Sequence, residues 1–121
     1  MAIAAGAPQA AAGEADVMEA VATPAGGYGD VEIWRFEVTV LHVGTSWQHY
    51  VSIIEVLAPN GALLGERRLY APSLEDETFT TTIPQVEIPA GVTEVTVRAH
   101  DSVHGYGGRT VTVLLEAPET N

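Results

Sequence analysis

The chain has 121 residues, 16 of them acidic against five basic, no cysteine, and a formal net charge of −11. That length suits one domain with a core of its own, and the lack of cysteine excludes a disulfide framework and any thiolate metal site. All five basic residues are arginines, and so acidic a surface repels phosphate backbones and anionic lipid, which argues against a nucleic-acid partner.

Residues 1–14 carry mostly small side chains with little to bury, and are expected to form a disordered tail. They lack the positive start and sustained apolar stretch of a working signal peptide, but fit the start of a chain left after such a signal is cut. The domain is expected over 15–117, with a short tail at 118–121. No run of about 18 apolar residues occurs, so no insertion into a membrane is expected.

From Ala15 onward, apolar alternation recurs between turn signals. A first strand is read at 17–21, ended by Pro24 and the glycines at 26, 27 and 29. The clearest strand is Val31–Val43. Its one face carries Trp34, Phe36, Val38, Val40 and His42, and the other Arg35, Glu37 and Thr39. Trp34 should lie at the centre of the core.

A loop at 43–49 leads to a third strand, Tyr50–Leu57, closed by Pro59-Asn60-Gly61. The fourth strand is 62–70, where Arg67 and Arg68 guard an exposed edge. After an acidic loop at 71–76 come a fifth strand, 77–83, and a separate extended piece at Val86–Ile88, split by Pro84. The sixth and seventh strands, 92–99 and 110–115, form a hairpin around the loop 100–109. No helical period of useful length appears.

Seven short strands at this spacing predict an all-β, seven-stranded antiparallel immunoglobulin-like sandwich. The segment Ile88-Pro89-Ala90-Gly91-Val92-Thr93-Glu94-Val95-Thr96-Val97-Arg98-Ala99 resembles the corner and sixth strand of fibronectin type III domains. A tyrosine is usual in that family where Val95 stands. The strings Arg67-Arg68-Leu69-Tyr70 and His100-Asp101-Ser102-Val103-His104-Gly105-Tyr106-Gly107-Gly108 resemble a family of small uncharacterised bacterial β-sandwich proteins. Members tend to carry His-Pro-His where this chain has Ala71-Pro72-Ser73. The likeness implies a shared fold and no particular chemistry.

Following strand direction through such a sandwich places the loops 43–49, 71–76 and 100–109 at one end. All four histidines fall there, with Glu75, Asp76 and Asp101. The domain is therefore read as a non-catalytic binding or accessory module with an extracytoplasmic, periplasmic location. Its candidate ligand-binding residues are Trp47, His49, His100, Asp101, His104 and Tyr106. On this reading no cofactor is needed.

The rival reading is a mononuclear copper or zinc protein using His42, His49, His100 and His104, with His100 and His104 sharing one ion and Asp101 or Asp76 assisting. An enzyme with that metal as Lewis acid is a lesser variant. Against both stands a plain structural account. Asp101 and Ser102 cap a turn, His49 and His100 face water, His42 bonds a backbone carbonyl, and Gly105, Gly107 and Gly108 supply positive φ angles.

Overall fold

The computed structural model describes residues 2–5, 14–72 and 77–115. Among them are eight strands and no helix: β1 (Ala2–Ala5), β2 (Ala15–Tyr28), β3 (Val31–His42), β4 (Val51–Leu57), β5 (Leu63–Arg68), β6 (Thr78–Pro89), β7 (Glu94–Asp101) and β8 (Val111–Leu114). They form two antiparallel sheets, ordered β1-β2-β3-β6 and β5-β4-β7-β8. The expected disorder at 6–13, the loop residues 73–76 with Glu75 and Asp76, and the C-terminal segment 116–121 lie outside the described residues.

Two-residue alternation drives the layering. In β3 the residues Trp34, Phe36, Val38, Val40 and His42 are buried, and Arg35 and Glu37 are exposed. In β7 the buried row is Val95, Val97, Ala99 and Asp101. Val111 and Val113 of β8 and Ile54 and Val56 of β4 join the same core. Opposite the large side chains of β3 lie small ones on β2, with Ala22 facing Phe36 and Ala20 facing Val38. Large against small lets the row pack without voids.

Trp34 is buried at the centre, as its parity predicts. Arg67 and Arg68 sit exposed on β5, an edge strand.

The structure differs from the sequence reading at four places. β1 pairs with β2 through Ala2↔Ala22 to Ala5↔Glu19, within the stretch expected to be disordered. β2 does not stop at Pro24 but runs to Tyr28, absorbing Ala25 and Gly26 in a register shift between Pro24 and Gly27. β6 is likewise continuous through Pro84. It pairs only with β3, and the register shift opposite Trp34 and Phe36 takes up Pro84 and Gln85. An edge strand with a bulge is where a proline costs no ladder hydrogen bond. β7 extends to Asp101, two residues further than expected, which moves that aspartate from the loop onto the strand.

Candidate functional site

His42 and Asp101 end the inward-facing rows of β3 and β7, which belong to opposite sheets. Both are essentially inaccessible, at 1 % and 0 % exposure. The polar ends of two apolar rows thus meet between the layers. His42 Nε2 contacts Asp101 Oδ2 directly. His49 Nε2 reaches the same oxygen at 2.7 Å, from a side chain 20 % exposed.

The other carboxylate oxygen, Oδ1, accepts the backbone N–H of Val103 at 2.6 Å and of His104 at 2.8 Å. Burial pushes the Asp101 carboxyl up. The amides of His104 and Val103, together with the His42 ring, outweigh it and hold the group below its ordinary value of 3.8. Asp101 is therefore an ionised carboxylate at neutral pH.

Each residue is placed by its own local structure. His49 sits at the end of a tight loop in which Ser46 N–H bonds His49 O at 2.8 Å and His49 N–H bonds Ser46 O at 3.1 Å. Trp47 and Gln48 form the tip. The Asp101 loop closes on itself through Asp101 N–H to Gly105 O at 2.8 Å and Gly105 N–H to Asp101 O at 2.9 Å. Gly105 takes φ of 68°, a conformation that favours glycine. The two loops are joined: Ser102 N–H donates to Tyr50 O at 2.9 Å, and Tyr50 N–H to Ser102 Oγ at 3.0 Å.

The Asp101 loop is also fastened to β2. Arg109 N–H donates to Asp16 Oδ1 at 2.6 Å, and Val17 N–H to Arg109 O at 2.8 Å. Gly107 and Gly108 do not supply positive φ angles, contrary to the sequence reading. A Cβ on Gly108 would stand 1.8 Å from Ala15 O, so that glycine is required by close approach of two backbones.

The histidines divide into two groups. The rings of His42 and His49 lie edge to face with centroids 4.7 Å apart, and His49 and His104 follow at 5.0 Å. His104 is exposed. His100 points to the opposite face of β7, because it neighbours Asp101 in a strand where alternate residues reverse. Its Nδ1 meets Ser52 Oγ at 2.6 Å, and its ring packs on Tyr106 at 4.8 Å. Sharing one ion between His100 and His104 does not fit this placement. Nor is His42 satisfied by a backbone carbonyl: its Nδ1 meets Thr45 Oγ1 at 2.7 Å, and its Nε2 meets Asp101.

Tyr106 folds back over the sheet instead of projecting. The Arg98 guanidinium lies 3.8 Å from its ring centre, and Arg98 Nε donates to Glu55 Oε1 at 2.8 Å. Trp47, by contrast, is 63 % exposed and Val103 60 %. Ala71 and Pro72, from the third predicted loop, line a cavity of about 270 Å³ with Thr45, Leu69 and Phe79, so that loop begins at the same pole.

Sequence reasoning did not find Thr45 or the Glu55–Arg98–Tyr106 cluster. The inward position of Asp101 could have been read by continuing the Val95, Val97, Ala99 row by one more step.

No protein-family model and no solved structure matches the chain. A protein of Halomicrobium mukohataei described as "Putative lipoprotein" is 38 % identical over 108 residues, covering 88 % of this chain and 50 % of that protein. The chain thus spans about half the length of this curated relative. Among the described residues no helix is long and apolar enough to cross a membrane.

Proposed function

We propose that this is a non-catalytic binding domain of the immunoglobulin-like, fibronectin type III-like class. Its place is outside the cytoplasm, exported or lipid-anchored, and it meets its partner with the pole made by residues 43–49, 71–72 and 100–109. Strand order supports the class: β2-β3-β6 opposed to β5-β4-β7-β8 corresponds to strands A-B-E against C′-C-F-G. The description of the relative as a "Putative lipoprotein" supports a place outside the cytoplasm.

One observation carries the binding role. Trp47, Val103 and Tyr70 expose 63 %, 60 % and 81 % of their surface around a buried, hydrogen-bonded polar floor. Large apolar groups held outward on loops of a rigid scaffold are the usual anchors of a protein interface. The charge of −11 selects a partner that is neutral or basic where it touches this pole.

A photo-crosslinking residue at Trp47, compared with one at Tyr28, which is also exposed but lies by the β2–β3 turn at the opposite pole, tests this in intact cells. A discrete adduct from position 47 and none from position 28 is the expected result. Equal yields at the two positions, or none at either, refute the assignment. Labelling of whole cells with an impermeant carboxyl-reactive reagent checks the location separately.

A further inference from the structure

We infer that the floor of the pole is a site for a divalent transition-metal ion of the zinc and copper class, held by His42 Nε2, His49 Nε2 and Asp101 Oδ2. One ligand atom from each of the three lies within 4.8 Å of the others. The assignment deepens the binding role of the same pole, but its test needs no partner.

Convergence of donor types is the first argument. Two imidazole nitrogens and one carboxylate oxygen suit these ions, and the chain has no thiolate to compete. The three come from β3, the following loop and β7, so the arrangement is set by the packing of both sheets and not by local spacing.

The second argument is the proton on His42. Thr45 Oγ1 lies 2.7 Å from His42 Nδ1 and donates to His42 O at 3.3 Å. A hydroxyl has one proton. If Thr45 gives it to the carbonyl, its oxygen must accept from Nδ1–H. With Nδ1–H so engaged, Nε2 faces an ionised carboxylate oxygen, and that position is filled either by a second proton on the ring or by a cation bound in its place. Fixing a ligand histidine by a hydrogen bond at its other nitrogen is the usual support of a metal site. Likewise Asp101 has its second oxygen held by two amides, leaving Oδ2 as the inward-directed donor.

The surroundings also favour a cation. Both His42 and Asp101 are closed off from solvent, yet His49 is 20 % exposed and gives the ion a way in. The Arg98 guanidinium is engaged with Glu55 and the Tyr106 ring on the outer face.

The test uses the 121-residue chain, stripped with chelator and titrated with Zn²⁺, and separately with Co²⁺ for its absorption spectrum. Because the ion binds only the folded state, Tm should rise by about 10 °C at a hundredfold excess over Kd. X-ray absorption should show nitrogen and oxygen neighbours at about 2.0–2.2 Å. His49→Gln, at a loop position 20 % exposed, should weaken binding at least tenfold while a cooperative melt shows that the chain still folds. His100→Ala should bind as the parent does. Absence of both a Tm shift and a Co²⁺ spectrum in the parent chain overturns the site, as does undiminished binding in His49→Gln or loss confined to His100→Ala. Metal binding without a crosslink from Trp47 would keep the site and remove the partner role. A crosslink without metal binding would do the reverse.

Discussion

His42 and Asp101 lie 59 positions apart in the chain, one at the end of β3 and the other at the end of β7, and their side chains join the two sheets at a point closed to solvent. A buried ion pair or charged hydrogen bond contributes little over a well-packed apolar pair, yet removing one partner strands the other.

That asymmetry predicts the effect of Asp101→Asn. At pH 7, in metal-free buffer, the variant should lose about 3–5 kcal/mol of unfolding free energy. The pH dependence has a definite sign. The Asp101 carboxyl is held below its ordinary 3.8, so its stabilising effect is complete above that value and fades as pH falls through the lower folded value. Urea denaturation of both chains at pH 7 and pH 3 should show the gap narrowing in acid. A gap that stays constant or widens would contradict the account.

The neighbouring glycines separate two kinds of constraint. Gly108→Ala sets a Cβ against the carbonyl oxygen of Ala15, a backbone atom that cannot swing aside. It should destabilise the fold by about 1–3 kcal/mol. Gly107→Ala crowds the carboxylate end of Glu14, a flexible side chain, and reaches the His104 carbonyl oxygen only at an ordinary contact distance, so it should cost less than about 0.5 kcal/mol. Thermal melts of the two variants side by side decide the matter.

Tyr106 tests how the loop is held. Its ring is covered by Arg98 and flanked by His100, and burial, then the Glu55 carboxylate, raises the phenol above its ordinary value despite Arg98. Tyr106→Ala should cost about 1–2 kcal/mol through lost cation–π and packing contacts. It should also speed hydrogen exchange at the Asp101 and Gly105 amides. Tyr106→Phe should keep most of the protection, because the ring is retained.

Salt is the fourth lever. With a net charge of −11, the folded chain repels itself at low ionic strength. Raising NaCl from about 10 mM to 1 M shortens the screening length from roughly 30 Å to 3 Å, and Tm should climb by several degrees. A Tm that falls or stays flat would show that self-repulsion does not limit the stability of the fold.

Much of this architecture was legible in the chain. Trp34, Phe36, Val38 and Val40 declared a core face, and one more step of the same period put His42 on it. The grouping of loops 43–49 and 100–109 at one pole followed from strand direction alone. What the residues did not show was which way each histidine turns. His100 and Asp101 are adjacent, so extending β7 through both sends one outward to Ser52 and Tyr106 and the other inward to His42. Treating them as loop residues hid that reversal. Pro24 and Pro84 were read as breaks because a proline cannot donate to a ladder, but a bulge at a lightly paired position removes the objection. Thr45 gave no signal of its own, since its role depends on the ring three residues before it.

β3 and β7 belong to opposite sheets, a pair of layers that a covalent sulfur bridge through the core could staple together. This chain has no cysteine and joins the same two strands, near their ends, by imidazole and carboxylate. Such a fastening is indifferent to reductants and oxidants, and it re-forms without an enzyme after it opens. Acid loosens it, where acid leaves a disulfide untouched. The layers of this sandwich are therefore locked by a latch that answers to protons rather than to redox conditions.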